Sequence, residues 1–345
     1  MAPASVIQGR THEGMEQVAF VFPGQGSQYV GMGLALAEMS PAARAVFGEA
    51  DAALGAPISE LAWSGPAEDL DLTVNAQPAI LATSIAYLRA MQAARAETGA
   101  EPLIPAFCAG HSMGQFSAMV AAGTLSFADA IRLVTERGRL MQESAPGRDG
   151  AMAAIIGLDP GALPDVLAAG ARAGLVVLAN DNAPGQDVIS GERAAVEAAI
   201  AEARERGARK AVILPVSVAA HSPLMADAAH AIARMVDDVT FADPAVPLLA
   251  NATAALITTG RAARQELVEH LTSGVDWTRT VRAMTNGGVR RFIEVGPGRV
   301  LSGLVRRIAP DAETHPLDDA SAPGRLAVPA WVMNGAPAPA GSVVA

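Results

Sequence analysis

A single cysteine, Cys108, in 345 residues leaves no intrachain disulfide. Its place in an apolar stretch marks it as a small buried hydrophobe rather than a redox group. Neither a CxxC pair nor an HExxH stretch occurs, so the sequence offers no metal centre. Aromatic residues make up 4% of the chain against 51% for apolar residues as a whole, so the core is aliphatic and alanine-rich, with ample material for an enzyme-sized fold. Basic residues number 25 against 35 acidic ones, a formal net charge of −10. That balance argues against nucleic acid or an anionic membrane as partner. It also disfavours an acidic carrier protein unless basic groups cluster locally. A helix over 202–210 and the pair Arg306-Arg307 are candidate clusters, with ordinary solvated faces as the plainer account of both. No apolar run is long enough to span a bilayer and no charged leader with an apolar h-region appears, which points to the cytoplasm.

Glycine, by contrast, is plentiful, with 33 residues. The run Gly110-His111-Ser112-Met113-Gly114 sets two of them around a serine. Residues 103–109 read as a short buried strand and 115–122 as a helix ended by Gly123. A serine on such an abrupt strand-to-helix turn has its hydroxyl held up beside a helix N-terminus that stabilises negative charge. The same five-residue pattern arises by chance in glycine-rich chains; the flanking strand and helix are what make it a nucleophile elbow.

A serine hydroxyl needs a base, and histidine is the usual one. Of the six histidines, His12 lies in a polar leader and His315 near a loose tail, both solvated. His111 adjoins the serine but points away from its hydroxyl in an elbow, and His230 reads as a half-buried residue of an alanine-rich helix over 222–236. His221 and His270 remain. His221 follows an apolar strand over 211–218 and precedes Ser222-Pro223, an N-cap with proline at the first helical position. It therefore sits at a second strand-to-helix junction, and the carboxyl ends of strands are where open α/β sheets place their sites. Alone it is an ordinary loop histidine; paired with the elbow it becomes the favoured base.

Residues 1–15 read as a leader, 17–22 as a first strand, and Pro23-Gly24-Gln25-Gly26-Ser27-Gln28 as a glycine-rich loop without the Gly-Lys-Ser/Thr ending of a phosphate loop. Ser40-Pro41 caps a helix to about Leu54, Gln77-Pro78 opens another to about Ala94, and Ser126 caps a third over 127–143. On that third helix Ala130, Val134, Arg137 and Met141 form one stripe. Arg137 either snorkels from this apolar face or reaches a cleft to grip a carboxylate. Over 151–216 the order is βαββαβ, the ferredoxin-like pattern. The expected organisation is an α/β, α/β-hydrolase-like large domain with a parallel-sheet core over 16–148 and 217–315. A ferredoxin-like small domain over 149–216 is inserted in it, and 1–15 and 318–345 are terminal extensions. The cleft between the two parts is the expected ligand site.

Phe22 to Gln28, the elbow, Glu136-Arg137-Gly138, 216–225, Asn182-Ala183-Pro184-Gly185-Gln186 and Glu294-Val295-Gly296-Pro297-Gly298 occur together in an order and spacing that resembles the malonyl-CoA:acyl-carrier-protein transacylases, over about 17–310. The resemblance implies a ping-pong reaction in which Ser112 takes the malonyl group from malonyl-CoA and passes it to the phosphopantetheine thiol of an acyl carrier protein. It implies no permanently bound cofactor, no metal and a monomer. Residue by residue it makes Ser112 the nucleophile, His221 the base and later the acid, and the Gln25 and Met113 N–H groups the oxyanion hole. Arg137 becomes the clamp for the malonyl carboxylate, with Gln77, Asn182 and Ala220 lining the pocket. Two positions depart from the family: Gln115 replaces a glutamate after the elbow, and His270 replaces a glutamine whose backbone carbonyl orients the histidine. His270 keeps a carbonyl, so it is the expected orienting partner, with Asp276 nearby in sequence. Ala220 is small, which leaves malonyl against methylmalonyl open, as it leaves fatty-acid against polyketide synthesis. A serine esterase or thioesterase is the competing enzyme reading, although those place an acid between serine and a histidine near the C-terminus. A degenerate carrier-docking scaffold is the non-enzymatic one.

Overall fold

The computed structural model describes residues 17–144, 149–216, 218–319 and 321–334. Their strands form two sheets. The first contains β1 (Gln17–Phe22), β2 (Phe107–Gly110), β7 (Leu248–Leu249), β8 (Leu256–Ile257), β10 (Val289–Glu294) and β11 (Glu313–Pro316), in the order β11-β10-β1-β2-β7-β8. All neighbours in it run parallel except β7 and β8. The middle strands are almost continuously apolar because helices cover both faces: five of the six residues of β1 and all four of β2 are buried.

The second sheet contains β3 (Gly150–Ile156), β4 (Val176–Ala183), β5 (Gln186–Glu192), β6 (Lys210–Ile213) and β9 (Val275–Asp276), in the order β6-β3-β5-β4-β9. Its first four strands pair antiparallel in the ferredoxin-like order, backed by the helices Leu163–Ala171 and Arg193–Glu205. β9, which lies far beyond the βαββαβ segment in sequence, pairs parallel with the outer edge of β4.

A 25-residue helix, Thr73–Glu97, runs through the core with buried residues on every face. It packs against the helices Pro41–Leu54 and Phe127–Glu143. Such a helix has no polar stripe to mark its bounds, and its true start precedes the expected one at Gln77-Pro78. Pro78 sits inside its second turn, where the loss of one intrahelical hydrogen bond is outweighed by packing on all sides. The helices Pro41–Leu54 and Phe127–Glu143 carry the expected caps, with the Ser40 and Ser126 hydroxyls accepting from the N–H groups of Ala43 and Asp129.

Three expectations about the periphery need correction. His230 is exposed rather than half-buried, because it lies on the solvent side of the helix Ala226–Met235. His315 belongs to β11, with its ring edge-to-face on Trp331 at 5.4 Å between centroids. The described residues beyond it are anchored, with Leu317 and Val332 fully buried and the Arg291 guanidinium over the Trp331 ring. Arg307 is not simply solvated: it donates to the Pro184 carbonyl (2.7 Å) and to Gln186, tying the helix Val300–Ile308 to the β4–β5 turn. His12 lies outside the described residues. No described helix is long and apolar enough to cross a membrane.

Candidate active site

Ser112 follows β2 and precedes the helix Gly114–Ala121. The turn is tight enough that a side chain at either glycine would strike backbone. A Cβ at Gly110 would lie 2.0 Å from the Gly114 carbonyl carbon, and one at Gly114 would lie 2.2 Å from the Phe22 oxygen. The second contact brings the elbow against the loop after β1, which carries Gln25. Ser112 itself adopts φ 52°, the left-handed region a non-glycine residue normally avoids. Gln115, fully buried, accepts from the Gly110 N–H (3.0 Å) and donates to the Leu249 carbonyl (3.0 Å). The amide thus does what an ionised glutamate could not, since one of its two bonds requires a donor.

The Ser112 Oγ lies 2.8 Å from Nε2 of His221. His221 is buried and also has a positive φ, 58°. The route to this position differs from the expected one. The preceding strand, β6, ends at Ile213 and belongs to the antiparallel sheet, so Ser112 and His221 are not at the ends of two strands of one sheet. The loop after β6 instead crosses back to the parallel body, where the His221 N–H donates to the Leu271 carbonyl (3.0 Å). Nδ1 of His221 faces two backbone carbonyls, His270 at 2.8 Å and Ser273 at 2.9 Å. With Nδ1 protonated toward these acceptors, Nε2 presents its lone pair to the serine. Burial, reinforced by the Arg137 charge, lowers the imidazole to about 4, so it is neutral and able to take a proton near neutral pH.

Among the described residues no carboxylate is hydrogen-bonded to Nδ1. Asp276 caps the helix Trp277–Asn286 by accepting from the Arg279 N–H. The His270 ring contributes nothing polar to His221. Its Nδ1 faces the Glu266 carbonyl at 3.2 Å, its Nε2 has no partner among the described residues, and burial holds it well below its ordinary range. The Ser273 carbonyl and Asn251, whose Oδ1 accepts from the Ser112 N–H at 2.9 Å, escaped sequence reasoning, because nothing in the local pattern marks a loop carbonyl or one asparagine after a two-residue strand.

Arg137 is 2% exposed. Nη1 donates to Gln77 Oε1 (2.7 Å), Nη2 reaches the Ser112 hydroxyl (3.4 Å), and Nε has no acceptor among the described residues. Burial without a counter-anion pulls the guanidinium down to about 9, still a cation at neutral pH. Gly138 explains how it gets there: a Cβ at this position would sit 2.6 Å from the Thr73 carbonyl, so glycine lets the helix Phe127–Glu143 press onto the start of Thr73–Glu97, beside Gln77. The side chain of Gln25 donates to Thr73 Oγ1 (3.2 Å). Among the described residues, neither its backbone N–H nor that of Met113 is taken up by a protein acceptor. Asn182 touches neither Ser112 nor Arg137; its Oδ1 accepts from His111 Nε2 (2.8 Å), linking β4 to the elbow. Ala220, next to His221, is buried. Among the described residues no group of three or more His, Cys, Asp or Glu side chains could hold a metal ion.

A serine–histidine pair on a parallel α/β body, with a buried cation beside the hydroxyl, is equipped for acyl transfer. Residues 19–318 match the model of the acyl transferase domain, and the chain belongs to that family. It is 45% identical over 306 residues to the malonyl CoA-acyl carrier protein transacylase of Bacillus subtilis, covering 88% of this chain and 94% of that one. The solved acyl carrier protein S-malonyltransferase of Vibrio cholerae is 42% identical with a TM-score of 0.83, covering 89% of this chain and 98% of its own. The malonyl-transacylase solved in complex with its type II PKS acyl-carrier protein is 41% identical, again with a TM-score of 0.83, covering 88% of this chain and 97% of that one.

Proposed function

We propose that this protein moves a malonyl group from malonyl-CoA to the phosphopantetheine thiol of an acyl carrier protein, by way of an ester on Ser112. The observation that carries the reading is the 2.8 Å approach of Ser112 Oγ to His221 Nε2 with the Arg137 guanidinium, which has no counter-anion among the described residues, at the same hydroxyl. The Ser112 oxygen attacks the thioester carbonyl while its proton passes to His221 Nε2. The oxyanion formed is met by the N–H groups of Gln25 and Met113, donors of a kind worth about 3 kcal/mol each in a developing tetrahedral intermediate. The C–S bond breaks, and the proton on His221 goes to the departing CoA sulfur. The second half repeats these steps in reverse, with the carrier thiol giving its proton to His221 as its sulfur attacks the ester.

Arg137 selects the acyl group. A malonyl carboxylate supplies the counter-anion that its buried guanidinium lacks, whereas an uncharged acyl chain leaves that cation unpaired. This favours a diacid thioester over the substrates of a simple esterase. The carrier protein as acceptor is supported by the names of the relatives, and no resident cofactor or metal enters any step.

The test is intact-mass spectrometry after incubation with malonyl-CoA and no carrier. The native chain gains one malonyl group, Ser112→Ala gains none, and added holo carrier protein discharges the ester. Continuous CoA release without a carrier would instead mark a thioesterase, and absence of any adduct would remove the reading. Methylmalonyl-CoA in the same tube measures the selectivity at Ala220, where malonyl is expected to win.

A further inference from the structure

The mechanism uses the side chains of Ser112 and His221 but leaves open what holds two residues in left-handed backbone conformations, φ 52° and 58°, against each other. Such conformations cost energy and persist only where the surroundings over-determine them. At His221 the restraint comes from backbone carbonyls, Leu271 on its N–H and His270 and Ser273 on its ring. At Ser112 it is a side chain: the N–H donates to Asn251 Oδ1 (2.9 Å). Asn251 is in turn fixed twice by one oxygen, Oε1 of Glu266, which accepts from its backbone N–H (2.7 Å) and from Nδ2 (3.2 Å). The carbonyl of the same Glu266 accepts from the His270 N–H (3.0 Å) and faces His270 Nδ1 (3.2 Å).

These bonds close a ring. It runs from the Ser112 N–H through Asn251 to the Glu266 side chain, along the last turn of the helix Gly260–Glu269 to the His270 carbonyl, and through the His221 ring back to the Ser112 hydroxyl. We propose that Asn251 and Glu266 are positioning residues for the nucleophile, and that the end of this one helix is the common mount that sets the serine and the histidine in register. Asn251 is 2% exposed; without its oxygen the part-buried Ser112 N–H would lose its protein acceptor, and the elbow would gain by relaxing toward an ordinary φ. That relaxation swings Oγ off the imidazole. Arg137 loses only the 3.4 Å contact of Nη2 with that hydroxyl and keeps its anchor, since Nη1 is held from the helix Thr73–Glu97 through Gln77. The expected signature is therefore a fall in kcat for acylation with KM for malonyl-CoA little changed.

The inference rests on Ser112 and His221 being the reacting pair, and the test separates the two claims. N251D keeps an acceptor for the Ser112 N–H but sets a carboxylate against Glu266 where an amide donor was. In the double variant N251D/E266Q the new amide divides the two contacts of Glu266 Oε1 between its two atoms, its NH2 donating to the carboxylate at 251 and its oxygen still accepting from the backbone N–H there. Pre-steady-state acylation by malonyl-CoA is expected to slow about a hundredfold in N251D, the scale of a misplacement near 1 Å. In the double variant it is expected to recover to within roughly fivefold of the native rate, KM staying level throughout. The exchange is the control for folding, since a variant that only lost structure would not be rescued by a second substitution in the same network. Native-like acylation in N251D, or no recovery in a folded double variant, overturns the positioning role. Failure of the native chain to become acylated overturns the proposed function instead.

Discussion

Ser112 and His221 share a backbone conformation that glycine adopts freely and other residues resist, and this makes a stability measurement informative at the residue scale. Glycine normally destabilises relative to alanine. At position 112 the order should invert, with Ser112→Gly about 1 kcal/mol more stable than Ser112→Ala in urea denaturation and both inactive. The titration of His221 sets the acid limb of the reaction. Its imidazole is neutral above about 4 and acts as a base only when neutral, so the rate of Ser112 acylation should hold as pH falls from 7 to about 5 and decline through about 4. A limb at the ordinary histidine value near 6.5 would show that burial does not act as described. Arg137→Ala should lower malonyl transfer by about two orders of magnitude while acetyl transfer holds or rises, because the buried cation is a gain only for an acyl group that brings a charge. Equal losses for both substrates would remove the clamp.

At the scale of elements, the contact of helix Phe127–Glu143 with the start of Thr73–Glu97 is what brings a stripe residue, Arg137, beside the Ser112 hydroxyl. Gly138→Val must push the two helices apart, since even a Cβ would lie 2.6 Å from the Thr73 carbonyl. The expected cost is about 1–3 kcal/mol in chemical denaturation. KM for malonyl-CoA should rise, as Arg137 loses its register with Gln77. The same two helices illustrate what local pattern can and cannot tell. Phe127–Glu143 has one apolar stripe and a serine cap, and its bounds are legible to the residue. Thr73–Glu97 is buried on all sides, so periodicity is silent and a proline is mistaken for its start. Strands of two residues such as β8 and β9 carry no pattern at all; they exist because a neighbouring edge offers donors and acceptors.

Across the whole molecule, the start of the segment whose composition marks it as a flexible or surface-laid tail is tied to the body. The Asp318 carboxylate is buried and accepts from Tyr29 (2.7 Å), Tyr87 (3.0 Å) and the N–H groups of Gly298 (2.7 Å) and Gly324 (2.8 Å). One side chain thereby joins the loop that carries Gln25, the central helix, the loop after β10 and the C-terminal segment. Asp318→Ala leaves four donors without their acceptor and should cost several kcal/mol, roughly 1–3 kcal/mol per buried donor left unpaired. Thermal denaturation measures that loss, and a slowed acylation should accompany it because the loop bearing Gln25 is then less fixed.

The chemistry was legible in the chain because it resides in short local patterns: a serine between two glycines, a histidine before a Ser-Pro cap, an arginine on an apolar stripe. The βαββαβ order and the parallel strands were legible because hydrophobic periodicity reports how many faces of an element are covered. What lay beyond the sequence was every relation set by packing at long range. The antiparallel sheet borrows β9 from outside its own segment. His221 reaches the serine from a strand of the other sheet, and the Ser273 carbonyl joins that of residue 270 at its ring. Asn251 and Glu266 grip the elbow from residues more than a hundred positions away. A carbonyl has no residue type to announce it, and a side chain's partner is chosen only when the core has formed; for that reason the tertiary structure, and not the order of residues, decided how the reacting groups are held.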